Sequence, residues 1–140
     1  MNPDCLFCKI VAGQIPAVKV YEDADVIAFM DIGPIVKGHT LVVPKVHCDP
    51  LMETPEPVLH KLIGVVRRVA RAQVAGLGAD GVNVTQANGQ AAGQVIPHIH
   101  FHVIPRFLAD GHHWNWVPKS YATQDEMRQF ADRLRQALGA

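Results

Sequence analysis

The sequence predicts an α+β domain built on a mostly antiparallel sheet. Three observations carry that reading. Short apolar runs fall into two hairpin-like pairs, one long amphipathic stretch lies mid-chain, and strands do not alternate regularly with helices. The last point argues against a doubly wound parallel sheet. With 140 residues, 49% of them hydrophobic and 19% charged, the chain is expected to fold as one domain over 1–140 with a core of its own.

Val18–Tyr21 and Val26–Met30 are rich in β-branched and aromatic residues, and the polar Glu22–Asp25 between them reads as a hairpin turn. His39–Val43 is a third strand, stopped by Pro44. Thr54 is the expected N-cap of the long helix, with Pro55 at its first position. Leu59, Leu62, Ile63, Val66 and Ala70 then recur at helical spacing, while Lys61, Arg67, Arg68 and Arg71 fall mostly on the other face. Gly76 and Gly78 end the helix. Val82–Gln86 and Ile96–Ile104 read as strands, the second bounded by Pro97 and Pro105. Thr123 and Glu126 form a capping box that opens a last helix carrying Met127, Phe130, Leu134 and Leu138.

Thirteen basic and thirteen acidic residues give a formal charge of zero. That argues against a generic nucleic-acid or anionic-membrane surface, both of which need excess positive charge. No apolar run approaches the roughly 18–20 residues of a membrane span. Met1–Cys5 lacks the pattern of a signal peptide, so a cytoplasmic protein is expected. Three cysteines, an odd number, argue against a disulfide framework.

The sharpest signal is His98-Ile99-His100-Phe101-His102-Val103. On a strand, alternate residues share a face and lie about 6.5–7 Å apart. Three imidazoles therefore line one face, and Ile99, Phe101 and Val103 line the other, where a helix would pack. Two chemistries fit: shared metal ligation, or catalysis by a neutral imidazole acting as nucleophile or base. The loop before it, Asn88–Gln94, is made of small and amide residues that let backbone N–H groups approach an anion closely. A phosphate beside a neutral imidazole is a phosphoryl-transfer arrangement.

Gly93–Arg106 resembles the histidine triad motif of the HIT superfamily. Further ordered segments carry the resemblance: Cys5–Val11 with Ile15–Ala17, Tyr21–Asp23, Phe29–Ile32 with Pro34, and Gly38–His47. It implies a five-stranded antiparallel sheet with two helices, usually paired as a homodimer. It also implies purine nucleotide binding, as of AMP, and hydrolysis at the α-phosphate of phosphoramidates, acyl-adenylates or dinucleoside polyphosphates. By similarity His100 is the nucleophile that forms a nucleotidyl-histidine, His102 contacts phosphate oxygens, and His39 orients the set. Asn88, Gly93, Gln94 and Val95 would hold the phosphate, and Asp31 the ribose hydroxyls. Phe7, Ile10, Phe29 and Ile32 would wall the base, although on composition alone they read as core. The family's eukaryotic Hint branch has a serine where this chain has Val95, so a hydroxyl for the leaving group is missing here.

Cys5-x-x-Cys8 has the spacing of half a structural zinc site, or of a redox pair. The resemblance implies zinc here, because many bacterial members of the family bind it through two such cysteines, the histidine of a Pro-Lys-x-His segment and the first triad histidine. The matching residues are Cys5, Cys8, His47 and His98, and Cys48 is left as a free thiol. Two other readings of the chain are a nucleotide-binding regulatory module with little turnover and a metalloenzyme using all three strand histidines. His112–Trp116, with two histidines and two tryptophans, reads as loop packing, a dimer contact or a lid that stacks on a base. Lys37, Lys45 and Arg106 are candidates for steering a polyphosphate tail.

Overall fold

The structure, a computed structural model, describes residues 2–114 and 116–139. Its elements are α1 (Leu6–Val11), β1 (Lys19–Glu22), β2 (Val26–Met30), β3 (Thr40–Pro44), α2 (Glu56–Leu77), β4 (Gly81–Thr85), β5 (Phe101–Arg106) and α3 (Gln124–Ala137). The strands form one antiparallel sheet in the order β1-β2-β3-β5-β4. This is the α+β architecture the sequence predicts, with the short α1 added.

Both faces of the sheet are covered. On one, α2 lays Leu62, Val65, Val66 and Val69 against Val26, Ala28, Val42, Ile99 and Val103. Burial of each such side chain stabilises the fold by about 1.5–3 kcal/mol. On the other, Phe7, Cys8 and Ile10 of α1 pack on Ile27, Phe29, Leu41 and Val43. Every residue of β3 is therefore buried, which is why β3 reads as an unbroken apolar run rather than an alternating one.

Several expected boundaries shift. The N-cap of α2 is Pro55, not Thr54; the Thr54 hydroxyl instead donates to the Pro50 carbonyl at 2.8 Å. Gly76 lies inside α2. The helix ends at Gly78, which takes a left-handed turn (φ 69°) while the Ala79 N–H reaches back to the Gln73 carbonyl. Strand β5 starts at Phe101, because pairing with β3 begins only at Val42–Phe101. It runs through Pro105, because β3 stops at Thr40 and no neighbour on that side asks for an N–H. Beyond that point Gly38 (φ 104°) lies so close to Leu77 and Pro105 that a Cβ would meet them at 2.7 and 2.9 Å. β4 and β5 are joined by the whole of 86–100 rather than by a tight hairpin.

Helix α3 has the expected cap, its Thr123 hydroxyl accepting from the Glu126 N–H at 3.1 Å. Its apolar stripe, however, meets no core. Met127, Phe130, Leu134 and Leu138 all stay exposed. No helix among the described residues is long and apolar enough to cross a membrane.

Candidate active site and metal centre

The triad segment leaves the 86–100 connection and enters β5 on the α1 side of the sheet. Ile99, Phe101 and Val103 pack toward α2, so the three imidazoles face α1, as the alternation requires. Backbone carbonyls orient His98 and His100, and the His39 side chain orients His102. Hydrogen-bond geometry assigns the tautomers.

His98 is fully buried. Its Nε2–H donates to the Pro44 carbonyl at 2.8 Å, which leaves the Nδ1 lone pair facing Cys5 and Cys8. Nδ1 lies 3.4 Å from Cys5 Sγ and 3.6 Å from Cys8 Sγ, and His47 Nδ1 lies 3.3 Å from Cys8 Sγ. All four ligand atoms fall within 4.8 Å of one another. A tetrahedron with zinc–sulfur and zinc–nitrogen bonds of ordinary length has sulfur–nitrogen edges of about 3.6 Å. The donor set and its spacing therefore fit such an ion, and the Pro44 carbonyl supplies the outer partner that fixes a ligating ring. Helix α1 exists to make this corner. Cys5 caps it, Sγ accepting from the Cys8 N–H at 3.4 Å, and one turn brings Cys8 alongside.

His100 is oriented the other way. Its Nδ1–H donates to the His98 carbonyl at 2.7 Å, so Nε2 carries the free lone pair. The ring stands edge-on to Phe7, with centroids 5.0 Å apart. Burial holds its pKa below the usual histidine value, against an opposing pull from the His98 carbonyl, Asp49 and Asp31. The imidazole is neutral at pH 7.

His39 accepts the Ile35 N–H on Nδ1 at 3.1 Å. Its Nε2–H therefore donates to His102 Nδ1 at 2.9 Å, and His102 keeps its proton on Nε2. Asp31 Oδ2 lies 3.6 Å from His39 Nε2. Burial first, then the neighbouring His100 and His39 rings, push the His102 pKa down to about 4. The relay thus ends in a neutral N–H donor beside the neutral His100 ring.

His100 and His102 line a cavity of about 370 Å³. Phe7, Ile10, Phe29, Asp31 and Ile32 line it together with Gly93, Gln94 and Val95. Phe7, Ile10 and Phe29 are core and cavity wall at once. The Val95 and Ile96 N–H groups have no protein partner among the described residues, and Val95 is 84% exposed. Asn88 lies outside the lining. Its Oδ1 accepts from the Leu51 N–H at 2.8 Å, and its side chain pairs with Gln86. Gln94 accepts from the Gly89 N–H at 2.7 Å and donates to Asp49 Oδ1 at 2.8 Å. Ile15, Pro16 and Ala17 also line the cavity; in the sequence they marked the family resemblance but no site role.

The three strand histidines do not converge on one point. Among the described residues the ligand clusters are Cys5, Cys8, His47, His98 and, separately, Asp31, His39, His102. In the second, the 2.9 Å nitrogen–nitrogen separation is a hydrogen bond. The cations expected to steer a polyphosphate lie elsewhere. Lys37 faces the α2 side, Lys45 pairs with Glu22 at 2.8 Å, and Arg106 is held by Asp110, Asn83 and the His112 carbonyl. Trp114 donates from Nε1 to Asn83 at 2.8 Å on the edge strand β4, away from the cavity lining. Asn115 lies outside the described residues.

A family model, the HIT domain, matches residues 12–109. The chain belongs to the HIT family. The adenosine 5′-monophosphoramidase hnt1 of Schizosaccharomyces pombe is 43% identical over 102 residues, 73% of this chain and 74% of that protein. The adenylylsulfatase HINT3 of Arabidopsis thaliana is 44% identical over 106 residues, 76% of this chain and 54% of that protein. The crystal structure of SMU.412c from Streptococcus mutans superposes with a TM-score of 0.92 at 40% identity, covering 99% of this chain and 87% of that one. A zinc-bound histidine triad protein from Mycobacterium smegmatis superposes with a TM-score of 0.76 at 38% identity, covering 96% and 97%.

Proposed function

We propose that this HIT protein is a nucleotide hydrolase that cleaves purine nucleotide conjugates at the α-phosphorus through His100. One observation carries the reading. The backbone fixes the one neutral tautomer of His100 that leaves the Nε2 lone pair free in a ring lining the cavity. Nε2 attacks phosphorus. The bond to the leaving group breaks with its electron pair, and the leaving group takes a proton from solvent, since Val95 offers no hydroxyl. Water then attacks the phosphorus of the nucleotidyl-histidine, returns the electron pair to Nε2, and gives its proton to solvent. His102 Nε2–H, held by His39, stabilises charge on the phosphate oxygens in both steps. The Val95 and Ile96 N–H groups share that load. Asp31 accepts from the ribose hydroxyls, and Phe7, Ile10, Phe29 and Ile32 enclose the base.

Cys5, Cys8, His47 and His98 would hold a structural zinc ion, which ties the N-terminal segment to the catalytic strand. A homodimer suits the exposed Ile63 and Val74 of α2, Val84 of the edge strand and the bare stripe of α3. The test is brief incubation with an AMP conjugate, followed by intact mass measurement at neutral pH. A gain of one nucleotidyl group, absent from His100→Ala although that variant still binds AMP, supports the reading. Full turnover by His100→Ala overturns it.

A further inference from the structure

Asp49 lines a second space. This open depression of about 600 Å³ shares Gly93, Gln94 and Val95 with the nucleotide cavity. With the nucleoside in the first space, as proposed above, a group extending from its phosphate past Gly93, Gln94 and Val95 would enter the second. The described residues lining the two spaces include two carboxylates, Asp31 and Asp49, and no lysine or arginine. Asp31 faces the nucleoside side. Asp49 faces the other, close enough for its charge to act on the His100 ring.

Asp49 is also held in place. Its Oδ1 accepts from Gln94 Nε2 at 2.8 Å, and Gln94 is itself fixed by the Gly89 N–H and the Ile96 carbonyl. Its Oδ2 has no partner among the described residues. A fixed carboxylate with a free oxygen, in a depression without cations, attracts a positive charge and repels a negative one.

Resting on the reading of the site given above, we infer that Asp49 selects substrates by the charge of the leaving group. The favoured class is nucleoside phosphoramidates and acyl-phosphates whose leaving group carries an ammonium, over those that leave as a polyphosphate, sulfate or carboxylate-bearing amine. The residue acts through field rather than contact with the reacting bond, so its signature is a ratio between substrates.

The experiment uses three adenosine 5′-phosphoramidates of matched length, with 2-aminoethyl, 2-methoxyethyl and 2-carboxyethyl groups on the leaving nitrogen. In the wild-type protein kcat/KM falls in that order, with the cationic substrate ahead of the anionic one by roughly tenfold or more. Asp49→Asn keeps an acceptor for Gln94 but removes the charge, and it brings the ratio to within about threefold. Asp49→Glu restores the preference, and raising salt weakens it. A wild-type ratio near one, or a ratio that Asp49→Asn leaves unmoved, overturns the inference while the reading of the site stands. Failure of all three substrates to turn over overturns both.

Discussion

His98 and His100 stand two residues apart, on the same side of the chain, and present opposite ring nitrogens. His98 gives its Nε2–H to the Pro44 carbonyl and turns Nδ1 to two cysteines. His100 gives its Nδ1–H to the His98 carbonyl and turns Nε2 to the cavity. The side chains are identical, so the difference comes from which backbone carbonyl lies within reach. Under the proposed function, two neighbouring copies of one residue thereby take different parts, His98 as a zinc ligand and His100 as the nucleophile. On that proposal the cluster of Cys5, Cys8, His47 and His98 anchors the carbonyl that orients His100, so one role supports the other.

The comparison breaks most severely at the metal corner. Cys8→Ser or His98→Asn should lose the bound zinc, reading as a fall from one equivalent to none by elemental analysis. The loss should cost about 4 kcal/mol and lower Tm by roughly 10 °C. Cys48→Ser, beside the same cluster but outside it, should keep the zinc. Retention of metal by both ligand variants would detach His98 from the assigned role.

A gentler break separates the relay from the corner. The His102 pKa falls from the ordinary histidine value to about 4 on folding. The unfolded chain therefore binds this proton between about pH 6.5 and 4 while the folded chain does not. Stability contributed here is complete above pH 6.5 and drops as pH falls through that window. His102→Asn should flatten the urea-midpoint profile across pH 6.5 to 4, relative to wild type, and leave its shape above pH 7 alone. An unchanged acid slope would mean that the ring is not desolvated as described.

Much of this was legible in the sequence because it depends on periodicity. Alternation placed the three histidines on one face and Ile99, Phe101 and Val103 on the other, and helical spacing placed Leu62 and Val66 against the sheet. What periodicity does not encode was harder to see. Helix α1 has six residues, too short for a pattern, and its cap is a cysteine. Pro105 continues a strand because a neighbour ends early, a fact of register rather than composition. The apolar stripe of α3 shows amphipathicity but not what it packs on. Asn88 sits in a loop that reads as a phosphate cradle, yet its amide is taken by Leu51 and Gln86. The tautomers depend on Pro44, His98 and Ile35 backbone groups, none of which a motif records.

Histidine-selective ¹⁵N labelling with two-bond ¹H–¹⁵N correlation at pH 7.5 reads those tautomers directly. The account predicts that His100 carries its proton on Nδ1 with a bare Nε2, and that His102 carries its proton on Nε2. A protonated Nε2 on His100, or a cationic ring at that pH, would contradict it.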